Sequence, residues 1–195
     1  METVLIVLAA GLSRRMGERD KLLESVAGKP LYQWALDAAL LSEAGPVYLV
    51  HGKTEPPEAS NVTNVHAQLA HLGQSHSISA GIQKVRDTNA DAVLIMLGDM
   101  PLITPHIIKS LIDAARGKPG KIWRPAFDAR PGHPVYWPRA YFGALKALEG
   151  DSGARDVLKA HRGEIALLPW HDDSVVFDVD TPQALEDASR RLNVL

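Results

Sequence analysis

The 195-residue chain contains no cysteine. Disulfides, a thiolate nucleophile and Cys-ligated zinc are therefore excluded, and the composition fits a reducing compartment. Positive charge is not in surplus either. The formal net charge is −2 at pH 7, which leaves no electrostatic footprint for DNA or RNA. No apolar run approaches the ~20 residues of a membrane span. Residues 4–10 are apolar, but no basic segment precedes them and Arg14 and Arg15 follow at once. They predict a strand in a cytoplasmic protein rather than a secretory leader. Repeats, low-complexity tracts and convincing linkers are missing too. With 46% hydrophobic residues to fill a core, the expectation is a single domain over 1–195.

Two familiar phosphate loops are also lacking. The segment after residue 8 has no Gly-Lys-Ser/Thr ending, so it is not a P-loop. Gly11 and Gly17 do not have the G-x-G-x-x-G spacing of a dinucleotide fingerprint. What stands there instead is Ala9-Ala10-Gly11-Leu12-Ser13-Arg14-Arg15-Met16-Gly17, with Lys21 four residues on. Small residues let a backbone approach a nucleotide, and exposed amides favour anions. Arg15 and Lys21 can neutralise charge that grows on phosphates. Lys21 is expected on an exposed loop, where it adds little to stability.

Apolar runs alternate with helical patterns along the chain. Strands are predicted at 4–8, 47–50, 61–65, 92–97, 122–124, 135–137, 165–168 and 175–179. Helices are predicted from Pro30 to 42, over 75–85, from the Thr104 cap to 116, from Pro138 to 148, over 153–161 with Ser152 as cap, and over 182–192. Residues 53–60, with two prolines, read as a surface loop. The alternation predicts a three-layer α/β fold with a mostly parallel, partly mixed sheet. In such sheets ligands bind beyond the carboxyl ends of the strands. Gly11, Asp99 and Asp180 each follow a predicted strand, which is the physical reason to group them.

Asp99, in Gly98-Asp99-Met100-Pro101, and Asp180, in Asp178-Val179-Asp180-Thr181-Pro182, are candidate ligands for Mg²⁺. Each also has a plainer reading: Asp99 as a turn residue and Asp180 as a helix cap. Asp178 faces the same side as Asp180 if the chain stays extended, and supports it. His66, His71 and His76 lack the i, i+4 spacing of a helical zinc pair and read as surface residues. His133 differs, because Gly132 and two prolines fix its backbone. The four tryptophans read as core or pocket walls.

The run Leu8-Ala9-Ala10-Gly11, with Arg15-Met16-Gly17 and Lys21, resembles the nucleotide-binding signature of the MobA-like nucleotidyltransferases. Further blocks follow in order: Gly73-Gln74-Ser75-His76-Ser77-Ile78-Ser79-Ala80-Gly81, Gly98-Asp99-Met100-Pro101, Gly132-His133-Pro134-Val135, Gly150-Asp151-Ser152-Gly153-Ala154-Arg155, and 178–182. The resemblance spans nearly the whole chain and is greatest to the molybdenum cofactor cytidylyltransferases. It implies a Rossmann-like nucleotidyltransferase fold and transfer of CMP from CTP to the terminal phosphate of a molybdopterin-type cofactor, with release of pyrophosphate. Arg15 and Lys21 would be catalytic. Leu8, Ala9, Ala10, Gly11, Ser13, Arg14, Gly17, Gly73, Ser75 and Ser77 would hold the nucleotide. His133, Asp151 and Arg155 would lie on the acceptor side, and Asp99 and Asp180 would hold Mg²⁺.

Ala10 stands where GTP users tend to have glycine, so the resemblance favours CTP. Gln74 departs from the apolar residue the resemblance calls for. The implied partners are CTP, the pterin cofactor and a molybdoenzyme or its chaperone, with no nucleic acid and no membrane. Two alternatives stay open. One is the same chemistry with another pair, GTP with molybdopterin or a nucleotide with a sugar or alcohol phosphate. The other is a carrier of nucleotide or cofactor that does not turn over.

Overall fold

In the computed structural model, residues 1–11, 20–53, 56 and 59–193 are described. The chain enters as β1 (Thr3–Ala9), in which Leu5, Ile6 and Val7 are fully buried. A strand covered on both faces needs no polar side, which is why its sequence is a continuous apolar run. A two-residue hairpin of β2 (Ser25–Val26) and β3 (Lys29–Pro30) follows, then α1 (Leu31–Leu41) and β4 (Val47–His51). β5 (Val62–His66), α2 (Gln74–Val85), β6 (Ala92–Leu97) and α3 (Pro105–Gly117) complete the first half. The second half runs β7 (Ile122–Phe127), β8 (Arg130–Pro131), β9 (Val135–Pro138), α4 (Phe142–Lys146), α5 (Arg155–Ala160), β10 (Ile165–Pro169) and α6 (Pro182–Leu192).

The main sheet has the order β10-β7-β9-β6-β1-β4-β5, with β8 paired to β7. β1 is parallel to β4 and β6, β4 to β5, and β7 to β10. Only β9 and β8 are antiparallel to their neighbours. The mostly parallel, partly mixed α/β sheet expected from the sequence is therefore present. Period-2 alternation splits the core into two layers. Leu5, Val7, Leu49 and Met96 pack with α1, α3 and α6, while Val4, Ile6, Val50 and Ile95 pack with α2 and α4. Each such fully buried side chain contributes about 1.5–3 kcal/mol.

The chain winds outward from β1 to β5, then returns to place β6 on the other side of β1. That reversal opens a crevice beyond the carboxyl ends of β1 and β6. The two ends are drawn together by the Gly98 N–H, which donates to the Leu8 carbonyl at 2.9 Å. A Cβ at Gly98 would sit 2.9 Å from that same oxygen, so the approach requires glycine.

Three predicted elements differ. Residues 175–179 do not form a strand: a short 3-10 turn covers Asp173–Val175, Val176 continues the turn with ψ 2°, and 177–179 pair with no sheet. Val175 and Val179 are fully buried, but their backbones bond singly to separate elements. The apolar pattern therefore reports burial and not a ladder. The helix expected from Pro138 to 148 is a 3-10 turn, Arg139–Tyr141, followed by the short α4. α5 begins at Arg155, and Ser152 does not cap it. The Ser152 hydroxyl donates to Asp156 at 3.0 Å instead. No described helix is long and apolar enough to cross a membrane.

Candidate active site

Lys21 is delivered by a turn that the sequence pattern did not reveal. Asp20 accepts from the Leu22 N–H at 3.1 Å and starts a 3-10 turn over Lys21–Leu23. Leu22 is buried in the core and anchors the turn. Lys21 is not an exposed loop residue: only 9% of its surface is accessible. Its Nζ donates to Asp99 at 2.7 Å and to Asp180 at 2.5 Å. Burial alone would pull the lysine pKa down, but the charges of Asp99 and Asp180 more than offset that and hold it above its usual value.

Asp99 stands just past the end of β6. Its carbonyl accepts from the Val179 N–H at 2.9 Å, which brings the 176–180 segment alongside. Asp180 is not the cap of α6. The Thr181 hydroxyl takes that role, accepting from Ala184, and leaves the carboxylate to Lys21. Asp178 belongs to the same cluster, where partial desolvation and then the charges of Asp180 and Asp99 raise its pKa. Asp99 Oδ1 is buried and has no hydrogen-bond partner among the described residues.

Two cavities share the Asp99 wall. The first, about 300 Å³, is lined by Leu8, Ala10, Gly11, Lys21, Gly73, Ser77 and Asp151, among others. The second, about 500 Å³, is lined by His133, Arg155, Asp178, Asp180, Arg124 and Arg130, with Trp137 and Val135 as apolar wall. Gln74 faces both. Ala9 lines neither of these and faces a neighbouring cavity of about 460 Å³ with Tyr32 and His51. The His51 ring stacks on His66 at 5.3 Å, at the paired ends of β4 and β5.

The structure sorts the expected site residues unevenly. Leu8, Ala10, Gly11, Gly73 and Ser77 gather round one cavity with Lys21 and Asp99. Ser75 does not join them: it is fully buried and its hydroxyl donates to the Gly153 carbonyl at 3.4 Å. Asp151 falls on the side of Gly73 rather than that of His133 and Arg155. A Cβ on Gly73 (φ +139°) would lie 2.5 Å from the Asp151 Cα, so the two backbones pack directly. Ser13, Arg14, Arg15 and Gly17 lie outside the described residues.

His133 sits between Gly132 and β9, and its N–H donates to the Val175 carbonyl at 2.8 Å. Burial, helped by the charge of Arg124, lowers its pKa to about 3, so the ring is neutral at physiological pH. Its Nδ1 is buried without a partner among the described residues. Sequence reasoning did not single out Arg124 or Arg130. Neither lies in a block that carried the resemblance, and only the fold shows that they reach the second cavity. In the sequence Gln74 stands out only as an odd residue in its block. Its place between the cavities comes from the packing of Gly153, where a Cβ would lie 2.3 Å from the Gln74 Oε1.

The sequence profile of the MobA-like NTP transferase domain matches residues 5–165. The chain belongs to that family. As a MobA-like NTP transferase it carries nucleotidyltransferase activity of the MobA-like kind. The purine catabolism protein PucB of Bacillus subtilis (strain 168) is 31% identical, with 96% of each chain covered. A homologue of Rv0371c from Mycobacterium sp. strain JC1 superposes with a TM-score of 0.85 at 29% identity, over 99% of this chain and 98% of that one. Rv0371c of Mycobacterium tuberculosis H37Rv, solved as a complex with manganese, shares the fold with a TM-score of 0.78 at 23% identity, over 97% and 98% of the two chains.

Proposed function

We propose that this MobA-like NTP transferase moves CMP from CTP to the terminal phosphate of a molybdopterin-type acceptor and releases pyrophosphate. One observation carries the reading: Lys21, Asp99 and Asp180 meet where two cavities share a wall. Joining two anions is limited by their repulsion and by charge that builds on the leaving group. Separate chambers that converge on concentrated charge address both.

The small residues Ala10 and Gly11 leave the first cavity open to a triphosphate, and Lys21 remains cationic there. The acceptor phosphate arrives already ionised, so no general base is needed. One of its oxygens bonds to the α-phosphorus as the bond to pyrophosphate breaks in line. The Asp99 Oδ1, which has no partner among the described residues, fits a divalent cation, with Asp180 as second ligand. Among the described residues there is no group of three or more candidate ligand side chains. Mg²⁺ suits such a pair, because it takes one or two carboxylates and completes its shell with phosphate and water. When bound it would offset charge on the phosphates. Manganese in the mycobacterial structure supports a divalent ion in this fold.

The choice of CTP rests on Ala10 by resemblance. A second reading keeps the transfer and changes the pair, to GTP or to a sugar or alcohol phosphate. It is favoured by Gln74, whose amide faces both cavities where the resemblance calls for an apolar side chain. The deciding experiment measures pyrophosphate release for each nucleoside triphosphate against molybdopterin and sugar phosphates. CTP with the pterin acceptor is expected to be fastest. Preference for GTP overturns the base assignment, and turnover only with a sugar phosphate overturns the acceptor.

A further inference from the structure

Three guanidinium groups line the second cavity, which is not the one lined by Ala10, Gly11 and Lys21. Arg124, Arg130 and Arg155 all face it. None of the three makes an ion pair with a carboxylate among the described residues. The carboxylates of the same cavity are engaged elsewhere: Asp99 and Asp180 with Lys21, and Asp178 under the influence of those two.

Arg124 is the most informative. Its Nε donates to the Gly132 carbonyl at 3.0 Å, and its Nη2 to the Pro131 carbonyl at 3.1 Å. Two main-chain oxygens therefore fix the plane of a half-buried guanidinium, and its remaining donors have a set direction. Burial lowers its pKa, and no carboxylate among the described residues raises it again. A partly desolvated cation without a counter-ion costs the fold free energy. An anion that arrives with a ligand explains why such a group is kept. Arg130 is held over the same cavity by the tight β7–β8 turn, in which Asp128 and Ala129 both have positive φ. His133 beside them is neutral, so the positive charge of this end comes from the arginines alone among the described side chains lining it.

We propose that Arg124, Arg130 and Arg155 form an anion site that binds the phosphate of a phosphomonoester acceptor, separate from the site of the donor triphosphate. The inference rests on the reading of the second cavity as the acceptor side. It adds Arg124 and Arg130 as residues that select an acceptor by its phosphate.

The test uses the whole chain with inorganic phosphate as probe, titrated by NMR on arginine side-chain N–H signals, and CTP titrated separately. Wild type is expected to bind phosphate with shifts at these arginines. Arg130→Ala, at an exposed position, should weaken phosphate binding about tenfold and leave CTP binding within about twofold. Arg124→Gln should weaken phosphate binding by at least as much. Unchanged phosphate affinity in both variants, no phosphate binding in wild type, or a loss confined to Lys21→Ala overturns the proposal. If wild type fails to bind CTP but still binds phosphate through Arg130, the nucleotide reading falls and the anion site stands. If CTP binds and phosphate ignores Arg130, the anion site falls alone.

Discussion

Lys21 and Asp99 lie 78 residues apart in the chain, yet the lysine Nζ sits 2.7 Å from the carboxylate. Asp180, another 81 residues on, closes on the same ammonium. The cluster joins the start, middle and end of the molecule through one cation.

Removing that cation should be felt in stability as well as turnover. Lys21→Ala leaves Asp99 and Asp180 facing each other without compensation, at an expected cost of about 2 kcal/mol. Urea unfolding measures it, and saturating MgCl₂ should restore part of the loss. Equal stability of variant and wild type would show that the lysine does not hold the two acids together.

Asp99→Ala separates an enzyme from a carrier. Pyrophosphate release should fall about 10²–10³-fold, while nucleotide binding persists. A variant that releases pyrophosphate at the wild-type rate would remove Asp99 from the chemistry.

Gly11 and Gly73 make a contrasting pair. A Cβ on Gly11 meets nothing within 4 Å among the described residues, whereas one on Gly73 meets the Gly150 carbonyl oxygen at 2.4 Å. Gly11→Ala should change stability by less than about 0.5 kcal/mol but raise the KM for the triphosphate. Gly73→Ala should cost about 1–3 kcal/mol, because it also has φ +139°. Thermal melts with kinetics on both variants check this, and an unchanged KM in Gly11→Ala would move the nucleotide away from the first loop.

The His133 ring gives a pH signature. Its folded pKa, about 3, lies below the ordinary 6.5. The unfolded chain therefore takes up a proton first as pH falls. Stability from this group is fully present above 6.5 and is lost between 6.5 and 3, by up to about 1.4 kcal/mol per pH unit. His133→Gln should flatten that slope in denaturation curves from pH 7 to 4. Parallel curves would mean that the imidazole stays solvated.

Much of this was readable before the fold was known, for reasons that differ by residue. β1 and β6 announce themselves because strands buried on both faces must be apolar throughout. α3 begins where Thr104-Pro105 predicts, since a threonine cap with proline in the first turn satisfies local geometry alone, whereas α6 starts at Pro182 as expected but is capped by Thr181 and not by Asp180. Residues 175–179 misled because buried valines look alike in a ladder and in a single strap. The β2–β3 hairpin escaped notice because two-residue strands have no period to detect. The sequence shows the charge of Lys21 but not its burial, which depends on carboxylates 78 and 159 residues away.

Because β9 is reversed against both neighbours, the residues that precede it emerge at the same rim where β1 and β6 terminate. Incoming and outgoing chain thus furnish opposite banks of one channel. Grafting a new β7–β8 hairpin would refit the bank that carries Arg124 and Arg130 and leave the opposite bank, with Ala10, Gly11 and Lys21, untouched.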